Sequence, residues 1–381
     1  MQDISDSYSQ LEGFSVRTNG DDIPTYVSPD TTLRAKILDA CGMTCTFCHN
    51  EGTPVLTDNR RRTRGGFISA GASGRVSIYA ATNGARFLPA PMKPDQAFVD
   101  ALARLRDSLE LNELHLTGGE PTLHPRLPEI IGAARDVGYN VCMTSNGENG
   151  ARQITACAGA GLTRVNFSIF GTTAAELAQV QHARFRDVGR AKAKITALRE
   201  SIAACVDNGI KASANIVVVD KSHVERVHRL LDTYTPELSV RLLNSLDHGQ
   251  ASLDAIDQVL ANRGATPEAR YLTAGASGAR TAYRLDDGRR VYVKWIRPVR
   301  LPTTCASCRF NNDTDCQEGF YGLRLYYSQE QEYLIGVCLQ RMDLCLRAGD
   351  FLRHPLAHEV RRLREADYDR LIRVSSPDAI S

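Results

Sequence analysis

The sequence predicts an α/β fold built on a parallel sheet, followed by a smaller antiparallel region. Three observations predict it. Strand-like and helix-like apolar periods alternate from Pro94 to the region of residue 250. About six strand–helix units fit between residues 31 and 250, the rhythm of βαβ connections. Polar and glycine-rich motifs follow the strands, where α/β folds bind ligands.

In order, residues 1–30 form an N-terminal arm. Leu33–Ile37 reads as a strand running into Asp39-Ala40-Cys41. Residues 51–92 form an insertion with Arg60, Arg61, Arg62 and Arg64, several glycines and a short strand at Val76–Ala80. The arginines read first as a solvated loop face. Phe98, Leu102, Leu105 and Leu109 mark a helix entered at Pro94-Asp95. Strands follow at Glu113–Thr117, Tyr139–Thr144, Arg164–Phe170, Lys211–Val219 and Ser239–Leu243, with helices between them. Residues 251–290 read as a connector and the start of a hairpin, with Asp286-Asp287-Gly288 at its turn. Residues 291–350 carry a second hairpin, Leu323–Tyr327 with Tyr333–Val337, and residues 351–381 a C-terminal helix or tail.

Composition narrows the function classes. Of 381 residues, 43% are apolar and 24% charged, which supports a sizeable core. Lys+Arg is 46 and Asp+Glu is 44, so charge alone gives no case for a nucleic-acid partner. The start MQDISDSYSQ has neither the basic nor the apolar part of a secretory signal. No apolar run approaches the roughly 20 residues of a membrane span. A cytoplasmic protein is expected. Eleven cysteines in a reducing compartment are thiols, metal ligands or catalytic groups rather than disulfides. Three fall at 41, 45 and 48, and five between 305 and 345. Cys142, Cys157 and Cys205 lie apart and read as core residues, and Trp295 reads as core or domain-interface packing. His124 reads as a loop histidine.

The first set, Cys41-Gly-Met-Thr-Cys45-Thr-Phe-Cys48-His49, has the spacing C-x3-C-x2-C. Three thiols on one short loop can converge on three corners of a cubane iron–sulfur cluster, leaving one iron open to an external chelator. The other reading is a zinc loop completed by His49 or a distant cysteine.

This loop resembles that of the radical S-adenosylmethionine (radical SAM) enzymes. The resemblance implies a partial (β/α)6 TIM-type barrel. It implies a [4Fe–4S] cluster on Cys41, Cys45 and Cys48, with S-adenosylmethionine (SAM) chelating the fourth iron. Phe47 matches the aromatic position near the adenine. Thr117-Gly118-Gly119-Glu120-Pro121 resembles the family's GGEP segment, so Gly118, Gly119 and Glu120 are expected at the SAM amino group. Thr144-Ser145-Asn146-Gly147 and Val165-Asn166-Phe167-Ser168 resemble segments that bind the SAM ribose and carboxylate, which carries over to Ser145, Asn146 and Ser168. Taken singly, these motifs read equally as βα turns and caps.

Cys305, Cys308 and Cys338, with the hairpin between them, resemble the auxiliary-cluster region of the GTP 3′,8-cyclase family and, more broadly, Twitch and SPASM modules. Cys316 adds a fourth candidate ligand that those cyclases lack, and Cys345 competes for the role. Four thiolates could equally hold a structural zinc ion. Arg34 and Arg324 match positions near the cyclase substrate. His115 stands where those enzymes have arginine, Ser213 replaces a lysine, and the chain ends Asp378-Ala-Ile-Ser381 without a Gly-Gly tail.

The reading is a radical SAM enzyme of cyclase or oxidoreductase type. It implies reductive cleavage of SAM to a 5′-deoxyadenosyl radical, which abstracts hydrogen from a nucleotide-like or specialised small molecule. Cyclisation, rearrangement or oxidation follows, with a second cluster and an external reductant such as flavodoxin or ferredoxin. A peptide substrate is the alternative, and a non-enzymatic zinc or iron–sulfur protein the second class.

Overall fold

The computed structural model describes residues 15–18, 21–54, 83–312 and 314–375. Arg60–Arg64 and the strand expected over Val76–Ala80 lie outside the described residues.

The chain runs β1 (Ser15–Thr18), β2 (Asp21–Pro29), β3 (Thr32–Lys36), α1 (Gln96–Leu109), β4 (Glu113–Thr117), α2 (Leu127–Val137), β5 (Asn140–Ser145), α3 (Gly150–Ala160), β6 (Leu162–Ser168), α4 (Ala174–Gln179) and α5 (Val188–Asp207). It continues with β7 (Lys211–Val218), α6 (Val224–Thr233), β8 (Ser239–Asn244), α7 (Gly249–Asn262), β9 (Thr266–Ala274), β10 (Gly278–Arg284) and β11 (Arg290–Ile296). It ends with β12 (Leu323–Tyr327), β13 (Tyr333–Gly336), β14 (Leu346–Arg347), α8 (Ala348–Arg353) and α9 (Pro355–Ser375).

All strands join one sheet in the order β1-β2-β9-β10-β11-β8-β7-β6-β5-β4-β3-β12-β13-β14. Its centre, β3 to β8, is six parallel strands in sequence order. This is the expected barrel, an α/β fold with antiparallel strands added by the C-terminal third. Leu33, Leu114, Val141, Val165 and Val240 lie on the face packed against the helices and are fully buried in the main core. Phe98, Leu102, Leu105 and Leu109 of α1 meet them at helical spacing. Asp95 caps α1, accepting from the Phe98 amide at 3.0 Å.

Both C-terminal hairpins form, on opposite edges of the six strands. β11 pairs with β8 in parallel and carries β10, β9 and β2 beyond it. β12 pairs with β3 in parallel and carries β13 and β14. The physical reason is edge satisfaction: each exposed strand offers unpaired N–H and C=O groups that the next strand saturates. β2 is hidden in the sequence because Pro24 interrupts its pattern, and β1, which pairs with it, is only four residues long. No helix among the described residues is long and apolar enough to cross a membrane.

Candidate active site and cysteine centres

The cysteine loop starts where β3 ends and is held by backbone from the next βα turn. Gly119 N–H donates to the Leu38 carbonyl at 2.9 Å and Glu120 N–H to the Ala40 carbonyl at 2.8 Å. Only glycines permit this approach. A Cβ at Gly118 would stand 2.5 Å from the Leu38 oxygen, and one at Gly119 would sit on the Ala40 oxygen.

Beneath the loop lies a buried polar network. Lys36 Nζ reaches Asp39 Oδ1 and the Asn50 carbonyl, each at 3.1 Å, and Thr53 Oγ1. Asn50 Nδ2 donates to Asp39 Oδ1 at 2.6 Å and to the Thr53 carbonyl at 3.0 Å. The network pins the chain that leaves Cys48. Asn50 and Glu51 there have positive φ, at 49° and 52°.

From above, two crossovers clamp the loop. Gly42 N–H donates to Glu148 Oε1 at 2.7 Å, and Glu148 pairs with Lys194. Thr44 N–H donates to Gln181 Oε1 at 2.7 Å, and Cys45 bridges Gln181 in antiparallel fashion. Amide groups reach two of the three sulfurs: Asn146 Nδ2 to Cys41 Sγ and Gln181 Nε2 to Cys45 Sγ, both at 3.5 Å. Met43, Cys45, Leu177, Ala178 and Ala191 form an apolar cluster around the loop, with Cys41 and Cys48 against it. Phe47 is half exposed and meets Phe170 edge-on, with ring centroids 5.2 Å apart.

Glu120 is buried and saturated. Oε1 accepts from Ser145 Oγ at 2.6 Å, Thr122 Oγ1 at 2.7 Å and Thr122 N–H at 3.0 Å, and Oε2 accepts from Asn146 N–H at 2.6 Å. Burial raises its pKa above the usual carboxylate value, against those hydrogen bonds. Glu120 thus ties the β4 turn to the β5 turn and brings Ser145 and Asn146 to the cysteine loop. Ser168 stands at the end of the next strand, opposite Asn215.

The sheet face turned away from the helices is polar. Arg34, His115, Cys142 and Arg164 form one row across β3 to β6. Thr144, Asn166 and Ser213 form the next. Arg241 and Tyr292 pair across β8 and β11, and Lys294 follows on the same face. Arg241 donates to Asn166 Oδ1 at 3.1 Å and Arg164 pairs with Glu113 at 2.9 Å. The Tyr321 ring lies 4.7 Å from the Arg34 guanidinium and 4.3 Å from Lys294 Nζ, bridging the first barrel strand and β11. Burial opposes ionisation of Tyr321, but Lys294 and Arg34 hold its pKa below the usual phenol value. His115 bonds Thr144 Oγ1 through Nε2 at 2.7 Å. Burial depresses its pKa, and the next largest influences are four cations, Arg34, Arg164, Arg241 and Lys294. His115 is therefore neutral. Glu113, His115 and Cys142 offer donor atoms within 4.8 Å of one another, but Arg164 occupies both Glu113 and Cys142, at 2.9 and 3.4 Å. Guanidinium there stands where a metal cation would have to.

Of the other isolated cysteines, Cys157 and Cys205 are core residues, their thiols pushed up to about 12 by burial. Cys142 is equally buried but faces the polar side of the sheet. His124 is buried, its Nε2 at 2.9 Å from the Met92 carbonyl. Trp295 donates to Thr281 Oγ1 at 3.0 Å.

The C-terminal thiols lie in one region, although among the described residues no three of them come within 4.8 Å of one another. Burial pushes Cys305 up to about 11, and Cys338, Cys316 and Cys308 each add to that rise. Arg341 stands 3.8 Å from Cys308 Sγ. Cys345 lies behind Gly336, in an apolar cluster with Phe87, Tyr326, Leu334 and Met342. The two cysteine regions touch. Arg324, matched to Arg34 in register, pairs with Glu51 at 3.2 Å, and Tyr326 OH donates to the Glu51 carbonyl at 3.0 Å. Asn83 Nδ2 bonds the carbonyls of Gly52 and Leu339.

The model of the Radical SAM superfamily matches residues 36–234, just over half of the chain. The chain belongs to the radical SAM superfamily. It is similar to a probable GTP 3′,8-cyclase of Thermoplasma volcanium, 24% identical over 84% of this chain and 82% of that protein. A probable GTP 3′,8-cyclase of Methanothermobacter thermautotrophicus is 23% identical over 91% of this chain and 95% of that protein. Among solved structures, Streptococcus suis SuiB bound to S-adenosylmethionine aligns with a TM-score of 0.37 at 14% identity, over 67% of this chain and 49% of that one. This chain thus spans about half the length of that structure.

A radical SAM enzyme needs a [4Fe–4S] cluster and SAM. The donor set fits: three thiols on one loop, an apolar surround, and amide N–H groups on two sulfurs, a common setting for iron–sulfur ligands. Zinc bonds thiolate at about 2.3 Å and would draw the sulfurs to about 3.8 Å from each other. Among the described residues no three of the loop's thiols lie within 4.8 Å of one another. Sequence reasoning missed Lys36, Asp39, Asn50, Glu148, Gln181, Arg241, Lys294 and Tyr321. One signal was present: Lys36 and Asp39 are charged residues flanking an apolar strand end just before a cysteine.

Proposed function

We propose that this radical SAM enzyme acts on an anionic small molecule, nucleotide-like in its charge, held on the polar face of the barrel. One observation carries the reading: Arg34, Arg241 and Lys294 stand on the polar face of the sheet that also carries His115, with the Tyr321 ring 4.7 Å from the Arg34 guanidinium and 4.3 Å from Lys294 Nζ. The cyclase relatives, named for a nucleotide, support the same class. When bound, the cluster and SAM supply the 5′-deoxyadenosyl radical that removes hydrogen from carbon. The chain's own residues bind and orient. Cys41, Cys45 and Cys48 hold the iron. The backbone of Gly118 and Gly119 approaches the SAM amino group, Glu120 fixes the two turns, and Ser145, Asn146 and Ser168 face the ribose and carboxylate. Phe47 covers the adenine, its half-exposed ring having room for it. Arg34, Arg241 and Lys294 neutralise the substrate anion. Arg324 is engaged by Glu51 and acts through that pair.

The reading includes a second cluster on Cys305, Cys308, Cys316 and Cys338, supported by the Cys305-x2-Cys308 spacing and the β12–β13 hairpin that leads into Cys338, with Cys345 outside the set. It also includes an external one-electron donor, flavodoxin or ferredoxin, in a reducing cytoplasmic setting that suits eleven cysteines.

The test is anaerobic. Iron is counted after reconstitution, and 5′-deoxyadenosine is assayed with SAM and dithionite across GTP, other nucleotides and sugar phosphates. About eight irons, from two four-iron clusters, and stimulation by an anion support the reading. About four irons removes the second cluster, and an unchanged count of about eight in Cys316→Ala removes Cys316 from its ligands. Stimulation only by neutral compounds removes the anionic substrate.

A further inference from the structure

We infer that Gln181 and Asn146 are positioning residues that raise the reduction potential of the cluster on the first loop, by donating amide N–H groups to Cys45 and Cys41. The inference rests on the superfamily assignment but on no choice of substrate.

Gln181 performs two tasks with one side chain. Its Oε1 accepts the Thr44 amide at 2.7 Å, which holds the loop, and its Nε2 points at Cys45 Sγ at 3.5 Å. Asn146 repeats the division: Oδ1 accepts the Glu148 amide at 2.9 Å while Nδ2 faces Cys41 Sγ at 3.5 Å. The oxygen ends fix the side chains, so their N–H groups are aimed by the backbone. Gln181, Asn146 and Cys45 are all buried, where a hydrogen bond to charge is strong. Cys48 is not shown with a side-chain donor among the described residues. Adding one electron places more negative charge on the iron–sulfur unit and its thiolates. A donor to sulfur stabilises that charge more than it stabilises the oxidised form, so the potential rises. Electron entry from a weak reductant becomes easier.

The test uses the full chain, reconstituted anaerobically and titrated with redox mediators. The EPR signal that changes on adding SAM is followed, since it reports the first loop. Gln181→Glu keeps the oxygen that holds Thr44 and loses the donor. Gln181→Met keeps length and neutrality and also loses the donor. Both are expected to lower the one-electron reduction equilibrium about tenfold, ~59 mV. An unchanged potential in Gln181→Met, or a fall only in Gln181→Glu, overturns the inference, because the latter is the added charge alone. If Gln181→Met does not load iron, Asn146→Leu makes the neutral test at Cys41, with the potential read on the SAM-free signal because Asn146 also faces SAM. A wild-type chain that takes up no iron or shows no SAM-sensitive signal removes the superfamily chemistry itself, a separate failure.

Discussion

Lys36→Met removes one partner of a pair whose side chains are 1% and 4% exposed. It takes the Lys36 ammonium away from the Asp39 carboxylate and leaves the Asn50 amide at 2.6 Å among its partners. Stranding one charge of a buried pair costs about 3–5 kcal/mol, whereas replacing both with apolar groups is often near neutral. The single variant is therefore expected to melt about 4–6 °C lower. The double variant Lys36→Met/Asp39→Leu is expected to recover most of that loss. Circular dichroism melts of the iron-free protein give the shift, and the double-mutant cycle gives the coupling. Iron uptake is expected to fall in the single variant, because the network holds the chain just after Cys48. A loss under about 1 kcal/mol in Lys36→Met, or a double variant as unstable as the two singles summed, refutes the account of the network.

Three further outcomes follow from the site. Lys294→Met and Arg34→Met are each expected to weaken inorganic tripolyphosphate roughly ten- to hundredfold in calorimetry, the loss of one charge-assisted contact; unchanged binding removes these cations from the substrate site. Glu120→Gln turns an amide toward the Asn146 N–H and is expected to cost about 1–3 kcal/mol in urea denaturation and to weaken SAM. His115 has a folded pKa below its unfolded one, so the unfolded chain binds the extra proton. Its contribution is present above the unfolded value, near 6.5, and is lost as pH falls below it, with a slope of about 1.4 kcal/mol per pH unit; His115→Gln is expected to flatten that part of the stability–pH curve.

The barrel was legible because its strands are apolar on the helix-facing side and its helices repeat at 3.6 residues, as Phe98, Leu102, Leu105 and Leu109 show. The cysteine loop and the turn at Gly118-Gly119 were legible as motifs at strand ends. The cationic face was not. Lys294 lies in a hairpin 260 residues from Arg34, and only the β8–β11 pairing and Tyr321 make them neighbours. Gln181 was invisible for a similar reason, since its value depends on an antiparallel bridge to Cys45 that no local pattern encodes. The placement of the two C-terminal hairpins on opposite sheet edges also required the register.

The contact between Glu51 and Arg324 bears on how the protein is matured. Glu51 follows Cys48 by three residues, and β12, which carries Arg324, turns through β13 into Cys338. Gly52 lies against Leu339 at the same seam, where Asn83 fastens both backbones. If the C-terminal thiols hold the proposed second cluster, filling one cysteine set orders a strip of chain that also supports the other. Delivery of iron should then show a preferred sequence, with the second loading faster than the first, and the intermediate holding one filled set should be short-lived. Breaking the seam with Glu51→Gln should make the two loadings independent.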